Sequence, residues 1–198
     1  RWALAFFLGI LGAGAMAPVN AVFLLIPSMI GLIWLTFDSS CVRGAFATGW
    51  WFGLGHFVTG LYWVANAFFV QPDRFGWLAP FAVFALAGIM ALFPAVSVVA
   101  TRALGHRSTG VGRVLVFAAM WVFFEWVRSW IFTGFPWNLI GSIWTFSDAI
   151  IQFAAFAGVY GLGILSITVA AMPAVLIGNN GWRTNCSPFL PISAVMLV

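Results

Sequence analysis

Long apolar runs separated by short polar breaks make up most of the chain. Several runs extend over about 18 or more residues, which is the length that a helix needs to cross a hydrocarbon core about 30 Å thick. The runs are continuous, whereas the strands of a membrane barrel alternate between apolar and polar positions. Because the backbone in lipid must satisfy its own hydrogen bonds, this pattern predicts membrane-spanning helices.

The polar breaks divide the chain into six predicted transmembrane helices and a truncated seventh. Clusters of Gly, Pro, Asn, Asp and Ser mark the breaks. The predicted helices cover residues 2–16, 21–37, 43–69, 77–103, 114–132 and 160–177, and residues 188–198 begin the seventh. Residues 133–138 are predicted to be irregular, and a short helix is predicted after Ser147. The expected fold is therefore an all-α, polytopic integral membrane bundle in a single domain, residues 1–198.

Composition agrees with this pattern and excludes other classes of protein. The chain is 64% hydrophobic and only 6% charged, which leaves too little polar surface for a soluble domain. Its basic residues are all Arg and are scattered singly, so no nucleic-acid-binding stripe is expected. The sequence starts at Arg1 and stops at Val198 inside an apolar run, and we expect it to be a piece of a longer protein.

The Arg residues predict how the bundle is oriented. With the N-terminus in the cytoplasm, Arg74 and Arg128 lie outside, and the other six lie on the cytoplasmic side, where such residues accumulate. Those six are Arg1, Arg43, Arg102, Arg107, Arg113 and Arg183. The same orientation brings six Trp residues near the outer face: Trp63, Trp77, Trp126, Trp130, Trp137 and Trp144. An ordinary aromatic belt explains much of this enrichment, although the concentration around residues 126–144 favours an additional role.

Few residues in the predicted helices are able to carry chemistry. Glu125 and Arg128 stand three apart, so they share a helix face and are expected to pair. Such a pair either neutralises a helix end or orients a lipid headgroup or substrate, because ionisable groups within membrane helices are often functional. His56 is expected to form an interhelical hydrogen bond, and Asp148 to cap a helix.

No catalytic or metal-binding pattern accompanies these residues. Cys41 and Cys186 lie far apart without metal-ligand spacing, and we interpret both as ordinary small apolar residues. The sequence lacks the Gly-x-Ser-x-Gly and His-Glu-x-x-His patterns and a phosphate-binding glycine loop. The residues alone therefore predict a membrane bundle without a metal site, and they identify no reaction.

Residues 125–138 nevertheless resemble the signature stretch of apolipoprotein N-acyltransferases. The stretch reads E-x-x-R-x-W followed by T-G-F-P-W-N, and its matching positions are Glu125, Arg128, Trp130, Gly134, Phe135, Pro136, Trp137 and Asn138. Residues 49–63 and 158–161 show weaker similarity to the same family, and they stand in the family's order and spacing. The resemblance covers essentially the whole chain.

The resemblance implies a multi-pass protein of the bacterial inner membrane that works at the periplasmic face. Such enzymes transfer an acyl chain from a phospholipid to the amino group of an N-terminal diacylglyceryl-cysteine in apolipoproteins, without a cofactor. Their Glu-Lys-Cys triad lies in a periplasmic nitrilase-like domain, expected here downstream of the seventh helix. This chain has no Lys, and neither Cys matches the nucleophile motif, so no catalytic residue is expected within it.

By this resemblance the chain anchors the catalytic domain, shapes the route by which lipids enter, and is inactive alone. The eight signature residues are the candidates for that route. Two alternatives stay open on the sequence: a transporter or channel component, which would need polar residues at mid-membrane and an internal repeat, and a non-catalytic membrane scaffold.

The predicted orientation can be tested with single cysteines in a background that carries Cys41→Ala and Cys186→Ala. An impermeant thiol reagent added to intact cells should label Asp73→Cys in a periplasmic loop and leave Ser108→Cys in a cytoplasmic loop unlabelled. Permeabilised cells, in which both positions should react, provide the control. Labelling of Ser108→Cys alone in intact cells would show the opposite orientation.

Overall fold

The computed structural model describes residues 1–131 and 134–177, and this part of the chain is helical without β-strands. Its α-helices are α1 (Trp2–Gly14), α2 (Leu25–Phe37), α3 (Val42–Gly60), α4 (Pro72–Phe75), α5 (Ala79–Met90), α6 (Leu92–Gly105), α7 (Val111–Arg128), α8 (Asp148–Ile151), α9 (Ala154–Ala171) and α10 (Pro173–Ile177). Short 3-10 helices cover Val22–Leu24, Tyr62–Val70, Gly76–Leu78 and Ile140–Trp144. The predicted seventh helix at 188–198 lies outside the described residues.

Two of the long predicted helices are interrupted in the structure. The helix predicted for 43–69 ends as α3 at Gly60, and a 3-10 helix follows it. The helix predicted for 77–103 divides at Ala91 into α5 and α6. Pro94 explains this division, because it lacks the N–H that would donate to the carbonyl of Met90 one turn earlier.

Gly158 bends α9 at the position where the sequence predicts a change of direction. Its φ is +67° and its ψ is 177°, a conformation that only glycine adopts without strain. The bend separates a short helical piece that starts at Ala154 from the longer helix that continues beyond it and ends ahead of Pro173. This agrees with the predicted helix from 160. Ser147 precedes α8 as predicted, but its side chain makes no capping hydrogen bond.

α3 lies at the centre of the bundle, in contact with α1, α2, α5 and α6. Glycines bring its backbone close to two of these helices. A Cβ on Gly9 of α1 would collide with the carbonyl oxygen of Phe52. One on Gly49 would come within 2.7 Å of the α6 backbone, and one on Gly53 within 2.8 Å of Ala91, where α5 and α6 meet. Small residues at these positions therefore let the helices approach closely.

The outer surface of the bundle is apolar. Phe156, Leu176 and Trp130 expose 90%, 84% and 72% of their area, a density of large apolar groups that is unfavourable in water. Two helical stretches, Pro72–Gly105 and Ala154–Leu176, are long and apolar enough to cross a membrane. These features are consistent with a helical membrane protein, and the number of six spans stays a prediction.

Arg side chains gather at one end of the bundle, named here the basic end. Arg1 donates to the carbonyl of Leu35 at 2.7 Å and forms an ion pair with Asp38 at 3.3 Å. Arg102 of α6 donates to the carbonyl of Ser39 at 2.9 Å. The start of α1 and the ends of α2 and α6 are therefore joined, as the predicted grouping of Arg1 with Arg102 requires.

The close crossing of α1 and α3 predicts a specific sensitivity to added volume. Gly9→Ala should destabilise the protein by about 1–3 kcal/mol, because the methyl group has no space beside the Phe52 carbonyl. Gly88→Ala in α5 is the matched control, since its nearest new contact is an ordinary 3.8 Å to Trp50. Thermal unfolding in detergent micelles should show a lower Tm for Gly9→Ala only, and equal shifts would contradict the observed crossing.

Candidate functional site

The chain leaves helical geometry between α7 and the 3-10 helix Ile140–Trp144, in a segment of residues 134–139. Gly134 and Asn138 have φ values of +87° and +54°, in the left-handed region that most side chains avoid. A Cβ on Gly134 would also lie 2.7 Å from the carbonyl oxygen of Ser129. The predicted irregularity is confirmed for 134–138, while residues 132 and 133 lie outside the described residues.

The carboxylate of Glu125 holds this segment against α7. Oε1 of Glu125 accepts hydrogen bonds from the backbone N–H of Ile140 at 3.0 Å and from the indole Nε1 of Trp121 at 3.1 Å. The N–H of Phe135 also donates to the carbonyl of Arg128 at 3.3 Å. The chain thus turns back on the last turn of α7, where Glu125 is only 6% exposed.

Arg128 does not pair directly with Glu125, so the predicted ion pair is wrong. Arg128 is 2% exposed, and its guanidinium lies over the ring of Phe57 in α3, with Cζ 4.9 Å from the ring centroid. No nitrogen of Arg128 lies within 4.0 Å of a Glu125 oxygen, and Nη1 of Arg128 and Oε2 of Glu125 have no hydrogen-bond partner. The two donors of Trp121 and Ile140 fix the carboxylate away from the guanidinium, which turns towards α3.

Asn138 links the segment to the end of α3. Its amide Nδ2 lies so close to Gly60 that a Cβ at this glycine would collide with it. Nδ2 is buried and has no hydrogen-bond partner. Gly60 is therefore required by a side chain that is distant in sequence, a contact that no local pattern indicates.

His56 lies one turn before the end of α3 and is 1% exposed. Its ring stacks on Phe52, with centroids 6.3 Å apart and planes at 12°, and it meets Phe57 edge-on. Nδ1 of His56 has no hydrogen-bond partner, so the predicted interhelical hydrogen bond is not formed at this nitrogen. Phe52 and Phe57 pack against the ring, which also lies close to the backbone of Gly9 in α1 and of Asn138.

These polar residues border one small cavity between α3, α6, α7 and the segment. Ser97 of α6, which no sequence pattern marks, is 1% exposed, and its hydroxyl has no hydrogen-bond partner. The cavity has room for about one water molecule, so neither an acyl chain nor a lipid headgroup fits inside it. Its polar lining is formed by His56, Ser97, Glu125, Arg128 and Asn138.

The other signature residues face outwards at the end of the bundle opposite the basic end, named here the aromatic end. Trp137 is 51% exposed, and its ring lies 5.1 Å from that of Trp63 and 6.2 Å from that of Phe135. Trp130 is exposed and contacts Trp126, and Pro136 is exposed. Among the signature residues, Glu125 and Arg128 are therefore buried, whereas Trp130, Pro136 and Trp137 are exposed. The role of both groups in a lipid route stays a prediction.

Cys41, interpreted from the sequence as an ordinary small apolar residue, makes a polar contact at the surface. It is exposed, and its Sγ accepts a hydrogen bond from the N–H of Gly44 at 3.3 Å, which caps the start of α3. This hydrogen bond is the main cause of a lowered pKa for the thiol. Cys186 lies outside the described residues. Within residues 1–131 and 134–177, no three His, Cys, Asp or Glu side chains are placed to hold a metal ion.

Comparisons with known proteins agree on one family. The family profile described as "Apolipoprotein N-acyltransferase N-terminal domain" matches residues 8–172. A protein named apolipoprotein N-acyltransferase from Allorhizobium ampelinum is 41% identical over 190 residues, which cover 91% of this chain and 36% of the relative. Proteins of the same name from Rhodopseudomonas palustris and Brucella melitensis are 36% and 44% identical, over 98% and 69% of this chain. The chain spans between 25% and 37% of the length of these relatives.

The contacts of Glu125 predict a difference between its amide and aliphatic replacements. Glu125→Gln keeps an oxygen that accepts from Trp121 and Ile140, so it should lose little stability. Glu125→Leu leaves two buried N–H groups without an acceptor and should cost about 2–4 kcal/mol. Thermal unfolding of both variants in detergent micelles measures the difference, and equal losses would show that charge rather than hydrogen bonding is what Glu125 supplies.

Proposed function

Because the chain belongs to the apolipoprotein N-acyltransferase family, we propose that it is the membrane portion of an enzyme that transfers an acyl chain from a phospholipid to the N-terminal diacylglyceryl-cysteine of apolipoproteins. The protein is a multi-pass component of the bacterial inner membrane with a cytoplasmic N-terminus. The aromatic end faces the periplasm, and the basic end faces the cytoplasm. The bundle anchors the catalytic domain and shapes the route by which both lipid substrates reach it.

One observation carries this proposal: the non-helical segment of residues 134–139 is held on its inner side by Glu125 of α7 and exposes the ring of Trp137 on its outer side. Irregular backbone is tolerated at membrane depth only where protein or a polar cavity covers it, and Glu125 supplies that cover through Ile140. Trp137 and Trp63 then form an exposed pair. Indole rings favour the interface between apolar chains and headgroups, where one ring edge is wet.

The apolar outer surface supports the membrane location. Along α9 and α10, Phe156, Val169 and Leu176 expose between 63% and 90% of their area. Such side chains are stable against lipid tails and unfavourable in water. The cavity beside Glu125 has room for about one water molecule. A cavity of this size gives no support to a solute path through the bundle.

The chemistry belongs to the part of the enzyme beyond this chain. A thioester-forming Cys needs a neighbouring base or cation to generate its thiolate, and the family's triad uses a Lys, which this sequence does not contain. Purified chain incubated with phospholipid and a diacylglyceryl-cysteine peptide should therefore form no N-acylated product, as mass spectrometry of the peptide would show. Product formed by a variant with Cys41→Ala and Cys186→Ala would place a catalytic site elsewhere in the chain.

The proposed route predicts a functional requirement for Trp137. In the full-length enzyme, Trp137→Ala should lower the acylation rate at least about tenfold, a loss of about 1.4 kcal/mol in transition-state stabilisation, because a ring of the exposed pair is lost. Trp77→Ala is the matched control, because Trp77 is also exposed (69%) but its ring packs on Phe81 of α5 and not on a residue of the 134–139 segment.

The rate is measured per folded enzyme with membrane level checked separately. Wild-type activity in Trp137→Ala, or equal losses in both variants, would show that the aromatic end is only an interfacial belt.

A further inference from the structure

A groove lined by apolar residues lies between α1 and α3 on the outside of the bundle. Trp2, Ala3, Phe6 and Phe7 of α1 form one wall, and Trp51 of α3 forms the other. The groove has a volume of about 360 Å³, which is within the range of about 300–1,000 Å³ for sites that bind small molecules. Trp2 and Phe7 are 54% and 61% exposed, so the groove is open to the surroundings of the bundle.

Close packing of α1 on α3 fixes the shape of this groove. A Cβ on Gly55 of α3 would collide with the carbonyl oxygen of Phe6, so the two helices touch beside the groove. The ring of Phe6 meets that of Trp51 edge-on, with centroids 6.4 Å apart and planes at 78°. The groove is therefore a feature of the packed helices.

A guanidinium without a partner lies on α3 towards the basic end from the groove. Arg43, Ala47 and Trp51 follow one another at i, i+4 and i+8, so they form one ridge along the helix. At about 1.5 Å per residue, Arg43 is about 12 Å nearer the basic end than Trp51. Arg43 is exposed, and within residues 1–131 and 134–177 its side chain makes no hydrogen bond or ion pair.

The apolar lining and the guanidinium together favour a phospholipid. Aromatic rings on both walls provide dispersion contacts for an acyl chain, and a guanidinium binds phosphate oxygens through paired N–H donors. The depths also match. One leaflet contributes about 15 Å of hydrocarbon, half of a core about 30 Å thick, so Trp51 meets acyl chains when Arg43 lies among the headgroups.

The charge near Arg43 favours an anionic headgroup. Arg102 of α6 donates to the carbonyl of Ser40 at 3.2 Å, three residues before Arg43. Arg1 lies at the start of the other wall and forms an ion pair with Asp38 at 3.3 Å, which offsets one of these three positive charges. The remaining excess attracts lipids with a net negative headgroup.

We propose that this groove binds one anionic phospholipid of the leaflet at the basic end, with an acyl chain between α1 and Trp51 and the phosphate on Arg43. The site lies towards the end of the bundle opposite the aromatic end, so it is separate from the proposed substrate route. A lipid bound there contacts both α1 and α3 and stabilises their packing. The inference rests on the proposed membrane location and is independent of acyl transfer.

Lipid binding to the full-length enzyme tests the role of Arg43. Native mass spectrometry with added phosphatidylglycerol should show about fivefold weaker binding of the most tightly held lipid in Arg43→Gln, the loss expected for one Arg at a membrane surface. Arg107→Gln is the matched control, because Arg107 is also exposed but lies in the loop between α6 and α7. No loss in Arg43→Gln, or equal losses in both variants, would overturn the site.

A second pair of variants tests the groove itself. Ala3→Trp adds a ring inside the groove and should weaken phosphatidylglycerol binding at least as much as Arg43→Gln does. Leu4→Trp adds the same ring at a neighbouring position that is 53% exposed and outside the groove lining, so binding should be unchanged. Equal binding by the two variants would show that the lipid is held elsewhere.

The direct test is a cryo-EM structure of the full-length enzyme in nanodiscs of phosphatidylglycerol and phosphatidylethanolamine. We expect elongated density along Trp2, Phe6 and Trp51 that continues into a headgroup at Arg43. Another segment of the protein in the groove would overturn the proposal, and so would density no stronger than that of the lipids around the rest of the bundle. Neither this measurement nor the binding assays require turnover, so loss of the proposed acyl transfer would leave their outcomes unchanged.

Discussion

The carboxylate of Glu125 fixes the aromatic end of the bundle. Glu125 lies in the last turn of α7, and its Oε1 takes the N–H of Ile140 on the far side of the non-helical segment. An acidic group in an apolar bundle is costly unless hydrogen bonds compensate for its burial. The two donors at Oε1 give that compensation and at the same time determine where the chain turns back. The positions of Asn138 on Gly60 and of Trp137 on Trp63 depend on that turn.

Close backbone packing makes this arrangement possible. Gly9, Gly49 and Gly53 allow α1 and α6 to approach α3 more closely than any larger residue would permit. α3 leads from the basic end at Val42 to the aromatic end at Gly60, so it brings His56 and Phe57 to the level of Arg128. The polar cavity is thus a consequence of helix packing, and its small volume follows from the same tight contacts.

Local patterns predicted most helices, the bend near Gly158 and the irregular segment, because each depends on residues close in sequence. The resemblance to the family likewise identified the signature residues of 125–138. Contacts between distant residues were missed: Ser97 carries no local signal, and Asn138 meets Gly60 only in the folded chain. The pairing of Glu125 with Arg128 was predicted from their spacing on one helix. In the structure the carboxylate instead accepts a hydrogen bond from the backbone N–H of Ile140, which is distant in sequence. The break at Ala91 could have been predicted from Pro94, since its missing N–H is a local property.

Hydrogen exchange at the amide of Ile140 tests the role of Glu125 most directly. In the full-length protein this amide should exchange slowly in the wild type and in Glu125→Gln, where an oxygen still accepts its hydrogen bond. In Glu125→Leu it should exchange many times faster, while the amide of Ala95, bonded to the Ala91 carbonyl within the α5–α6 run, stays protected. Unchanged protection of Ile140 in Glu125→Leu would show that other contacts hold the segment and would contradict this account.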